Sequence, residues 1–175
     1  MYIEIKTEVF YLRILGIDPG FATVGFGVID YSANKFTTIN YGVICTDKNT
    51  PFPERLKILY DSALELIEKY KPDCLSIEEL FFNTNVKTAI AVGHARGVLI
   101  LAAHNAGLPI YEYTPLQIKQ ALTGYGRADK QQIQHMVKTF LNLAAIPRPD
   151  DAADALAVAV CHAHSSRLTD ILGRK

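Results

Sequence analysis

Four carboxylates stand at the ends of apolar segments, where an isolated charge loses several kcal/mol of solvation unless a cation neutralises it. Asp18 closes the strand-like run Leu12-Arg13-Ile14-Leu15-Gly16-Ile17, and Glu78 closes Cys74-Leu75-Ser76-Ile77. Asp151 and Asp154 open the helix-like run from Ala152 to Ala163. Oxygen donors with no companion cysteine or histidine cluster suit a hard cation, Mg²⁺ or Mn²⁺, and not Zn²⁺. Two such ions about 3.5–4 Å apart activate a water, stabilise a leaving oxygen and hold a phosphodiester in line. The residue types point to metal-dependent chemistry on phosphate esters.

Each acid also has a plainer use. Asp18-Pro19-Gly20 is a turn sequence, and Asp starts turns through bonds to its own backbone. Glu78-Glu79 suits a solvated strand end. Acids in a first helical turn favour the macrodipole by about 0.3–1 kcal/mol, which accounts for one of Asp151 and Asp154. Capping does not account for both. Spaced three apart, they share one helical face. The small, apolar helix they open should pack flat on a sheet and carry both acids toward the strand ends that bear Asp18 and Glu78.

The elements that must do this follow from the pattern. Strands are expected at Leu12 to Asp18, Thr23 to Ile29 and Phe36 to Cys45, with Asp30 to Lys35 as a polar turn, which makes an antiparallel meander. Helical spacing runs from Pro51 to Tyr70, a short strand from Asp73 to Glu78, a long helix from Val86 to Ala106, and a further strand from Leu108 to Tyr113. Helices at Pro115 to Leu122, Lys130 to Leu143 and Asp151 to about Arg167 complete the chain. The expected fold is α/β, a five-stranded mixed sheet of three antiparallel and two parallel strands flanked by helices. Residues 1–11 read as an amino-terminal extension, 12–167 as one domain and 168–175 as a tail.

Composition bounds the function. With 175 residues, 49% of them hydrophobic, the chain is the size of a single domain with a substantial core. Its apolar stretches, such as Gly97 to Ala103, are far short of the roughly 20 residues that span a bilayer, so a cytoplasmic protein without a membrane partner is expected. Cys45, Cys74 and Cys161 are expected as core thiols. The formal net charge is zero, yet Lys119 to Arg148 holds five basic residues and one acid. That stretch suits either a phosphate backbone or a solvated helix face.

Several motifs together carry a resemblance: Leu15-Gly16-Ile17-Asp18-Pro19-Gly20, Ile77-Glu78-Glu79-Leu80-Phe81, Gly93-His94-Ala95-Arg96-Gly97-Val98, Lys119-Gln120, the run from Lys130 to Val137, and Asp151-Ala152-Ala153-Asp154-Ala155-Leu156-Ala157. In this order they resemble the RuvC crossover junction endodeoxyribonucleases, in one register from about Leu12 to His164. The resemblance implies an RNase H-like fold and a homodimer that resolves four-way (Holliday) DNA junctions in recombination and repair. Each subunit would nick one of two strands of like polarity with Mg²⁺ or Mn²⁺, two ions per site. It places the catalytic and metal-binding acids on Asp18, Glu78, Asp151 and Asp154, choosing Glu78 over Glu79 and Asp151 over Asp150. It places a junction-wedging aromatic on Phe81 and DNA-binding lysines on Lys119 and Lys130. Branch-migration proteins enter as partners through the resemblance alone.

Two other classes compete. Sugar kinases and actin-like ATPases also begin with Asp and a Gly turn, but they need a second Asp-Gly hairpin, and none follows Ile77. A junction-binding protein without cleavage should lack one of the acids. All four are present.

Overall fold

The computed structural model describes residues 11–80 and 86–173. Ten elements follow in order: β1 (Tyr11–Asp18), β2 (Thr23–Ser32), β3 (Lys35–Cys45), α1 (Phe52–Tyr70), β4 (Cys74–Glu78), α2 (Val86–Asn105), β5 (Ile110–Tyr113), α3 (Pro115–Thr123), α4 (Lys130–Phe140) and α5 (Asp150–Gly173). The strands form one sheet in the order β3-β2-β1-β4-β5. The first three pair antiparallel, while β4 and β5 run parallel to β1. This is the expected mixed sheet. Among the described residues no helix is long and apolar enough to cross a membrane.

Period-two alternation divides the side chains of β1 and β4 between two cores. Leu15, Ile17, Leu75 and Ile77 face α1 and α2, where they meet Leu59, Ala63 and Leu99. Ile14 and Cys74 face the opposite layer, with Leu156 and Val160 of α5, Ile118 of α3 and Val137 of α4. Gly16, between Ile14 and Asp18, faces α5 as well: a Cβ there would lie 2.3 Å from the carbonyl oxygen of Ala155. By the same alternation, Asp18 and Glu78 fall on the α5 face.

Four local expectations are corrected. The reversal between β2 and β3 is not a six-residue turn; it is made by Ala33 and Asn34, both at positive φ, as a two-residue hairpin with right-handed strand twist requires. Both strands therefore run further toward the turn. Helix α4 stops at Phe140, because Asn142 takes positive φ and ends it. Helix α5 instead continues past Arg167 to Gly173. Of the three cysteines, Cys74 and Cys161 are buried, but Cys45 at the end of edge strand β3 is exposed.

Candidate active site

Pairing of Ile17 with Ile77 in the parallel β1–β4 register sets the next residues, Asp18 and Glu78, side by side at the carboxyl ends of adjacent strands. The chain leaving Asp18 is pinned from behind. Thr46 donates its hydroxyl to the Phe21 carbonyl at 2.7 Å, Arg55 donates to the Thr46 hydroxyl at 2.9 Å, and the Arg55 guanidinium lies 3.8 Å over the Phe21 ring.

Helix α5 brings the other two acids. Its approach depends on glycines in the sheet, since a Cβ on Gly25 would sit 1.9 Å from the Asp151 carbonyl oxygen and one on Gly27 would meet Leu156 at 2.7 Å. The helix backbone rests directly on β1 and β2, and its first turn reaches the end of β1. The packing role of these glycines is not among the expectations from the sequence. The signal was there in Gly25-Phe26-Gly27, two small residues on one strand face.

The charges of the other three acids all bear on Asp18. Burial, then the charges of Glu78, Asp154 and Asp151, push the Asp18 carboxyl up to about 7. Glu78 is pushed up to about 7 as well, by burial and by Asp154, against the opposing pull of Lys119. Burial also raises Asp154, while a hydrogen bond from Lys130 pulls it down. Carboxylates held this way favour a cation among them. The donor set fits a hard divalent ion, being all oxygen and anionic. Yet among the described residues no three His, Cys, Asp or Glu side chains are drawn together tightly enough to hold one. The cation among them is an ammonium: Lys130 Nζ lies 3.2 Å from Asp154 and 3.3 Å from Asp150.

Both lysines sit on capped helices. Thr114 and Gln117 form a reciprocal capping box that starts α3, and Asp129 and Gln132 do the same for α4. Lys119 thereby lies in the second turn of α3 and Lys130 in the first residue of α4. Together with Glu78, Asp154 and the apolar Ile118, Ile133 and Ala157, they line a cleft of about 230 Å³. Phe81 lies outside the described residues. Arg96, not foreseen as a contributor, donates to the Glu78 backbone carbonyl at 3.1 Å and pairs with Glu112, which ties the end of β4 to α2.

The profile of the crossover junction endodeoxyribonuclease RuvC matches residues 14–162. The chain belongs to the RuvC family. A RuvC protein of Ruminiclostridium cellulolyticum is 58% identical over 160 residues, 91% of this chain and 96% of that one. The RuvC protein of Alkaliphilus oremlandii is 59% identical over 158 residues, 90% of this chain and 96% of that one. The solved structure of Thermus thermophilus RuvC in complex with a Holliday junction substrate superposes with a TM-score of 0.86 at 38% identity, covering 90% of this chain and 96% of that one. The architecture is thus the RNase H-like fold of RuvC. The yeast mitochondrial resolvase Ydc2, 17% identical with a TM-score of 0.68, shares the fold.

Proposed function

We propose that this RuvC-family chain is a Holliday junction resolvase that hydrolyses DNA phosphodiesters at the cleft of Asp18, Glu78, Asp151 and Asp154. The observation that carries this reading is the placement of Asp18 and Glu78 side by side at the carboxyl ends of two adjacent strands, where the charges of Glu78, Asp154 and Asp151 all bear on Asp18. The RuvC name of the relatives above, and the junction bound by the Thermus thermophilus protein, supply the substrate class.

The four acids would hold two divalent cations, Mg²⁺ or Mn²⁺. Bound there, these would supply a water activated for attack and charge stabilisation for the leaving oxygen. Asp18 and Glu78, fixed by the sheet, form the rigid side of the site. Asp151 and Asp154 share one helical face and approach from across the cleft. Lys119 and Lys130 neutralise phosphates of the strand being cut, and Phe81 stacks on an unpaired base at the branch, worth about 1–3 kcal/mol by analogy with single-strand binders.

A homodimer is part of the reading, since two nicks in strands of like polarity need two sites. The outer face of α2 suits it. Ile90 and Leu101 are 57% and 50% exposed, and a Cβ added at Gly93 or Gly97 meets nothing within 4 Å. Gly93→Leu should therefore reduce the sedimentation mass to that of one chain; an unchanged mass removes α2 from the interface. The place of action is the cytoplasm, and branch-migration proteins are the expected partners.

One assay tests the whole reading. Purified protein is incubated with four-way, three-way and linear DNA, with and without Mg²⁺. Paired nicks confined to the four-way junction and dependent on Mg²⁺ are expected. Equal cutting of linear DNA would make it a general nuclease, and binding without cutting a passive junction protein.

A further inference from the structure

Asp150, the acid passed over in favour of Asp151, pairs with two cations at the first turn of α5. Its Oδ2 lies 3.3 Å from Lys130 Nζ, and its Oδ1 accepts from Arg148. Lys130 in turn lies 3.2 Å from Asp154 Oδ2. One ammonium is thus shared between an acid proposed to hold metal and an acid that is not.

The placement of Lys130 runs against local preference. It is the first residue of α4, directly after the Asp129 cap, where the helix dipole disfavours a cation. An ammonium held at such a place occupies the charge that a divalent ion would otherwise supply to Asp154.

We infer that Asp150 is a positioning residue for the metal site, the receiver onto which Lys130 shifts when a divalent cation takes Asp154. The inference rests on the proposed assignment of Asp154 as a metal ligand. With Asp150 present, arrival of the cation leaves Lys130 still paired, and its ammonium turns from Asp154 toward Asp150. Arg148 holds Asp150 in place for this exchange. With Asp150 neutral, displacement of Lys130 leaves an ammonium with no carboxylate beside it, so the cation binds less well.

The test is a double-mutant cycle on Mn²⁺ affinity, measured by titration calorimetry on the full chain without DNA. Asp150→Asn should weaken Mn²⁺ by on the order of two- to fivefold, the range expected for a solvent-exposed ion pair. In a Lys130→Met background, which keeps most of the aliphatic stem, the same change should have a smaller effect. Asp150→Glu should restore affinity.

Simple long-range charge gives the opposite order. Removing Lys130 unmasks the Asp150 charge, so its loss would then matter more in the Lys130→Met background. An equal or larger effect there overturns the receiver role. Asp154→Asn separates the two levels: if it leaves Mn²⁺ affinity unchanged, the metal-site reading fails along with the inference. If it weakens binding while the cycle has the wrong sign, only the role of Asp150 fails.

Discussion

Gly25 lies so close under Asp151 that a β-carbon there would stand 1.9 Å from the Asp151 carbonyl oxygen. Backbone of a packed helix cannot swing aside as a side chain does. Gly25→Ala should therefore push the start of α5 off the sheet, destabilising the fold by about 1–3 kcal/mol, as overpacking does. Junction cleavage should fall further than junction binding, because Asp151 and Asp154 move with the helix. Gly42→Ala serves as comparison, since its new Cβ would meet only the Phe26 ring, at 3.1 Å. Denaturant unfolding of both variants checks the contrast, and equal stabilities would mean that α5 does not depend on bare backbone at Gly25.

The acid cleft should weaken the fold as pH rises in the absence of divalent ions. Asp18 is pushed from an ordinary 3.8 up to about 7, so its contribution to stability is complete below 3.8 and is lost as pH climbs through about 7. Asp18→Asn removes that loss. The variant should gain on the natural chain between pH 4 and 8, by on the order of a few kcal/mol at the upper end. His162, buried and held down to about 4, acts with the opposite sign, losing stability as pH falls from its ordinary 6.5, but it does so in both proteins. The difference between their thermal unfolding curves isolates the acid. Mg²⁺ should close the gap at pH 8, and a difference that ignores pH would contradict the burial of this charge.

Lys119 and Lys130 should show themselves through salt. If each neutralises a phosphate, replacing either by Ala makes the dependence of junction affinity on salt shallower by about one unit of logarithmic slope. Fluorescence anisotropy with a labelled junction in EDTA measures it without cleavage. Unchanged slopes would leave both lysines as partners of the acids alone.

The sheet and the acids were legible because they rest on strong local signals. Short apolar runs in Leu12 to Asp18 and Cys74 to Glu78 mark two buried strands, and a buried strand that ends on an acid is chemically conspicuous. Which of Glu78 and Glu79 points into the cleft needed the pairing register, since side-chain parity is meaningless until a strand has neighbours. The tight reversal at Ala33-Asn34 was hidden because Ala is an unusual residue at positive φ, so the polar run around it read as one long turn. The exposure of Cys45 follows from its place on the edge strand β3, a position that sheet order fixes and composition does not. The ammonium bridge from Lys130 to Asp150 and Asp154 joins residues twenty or more apart in sequence. No local pattern could have announced it.

The proposed site joins four acids from three elements, β1, β4 and α5, into one hydrolytic centre on DNA. Asp18→Asn removes one oxygen anion from the cleft with almost no change in shape, which makes cleavage of a synthetic four-way junction in Mg²⁺ by this variant the most direct measurement. Cutting should disappear while the gel shift of the same junction persists. Undiminished cutting by Asp18→Asn would contradict the proposed site.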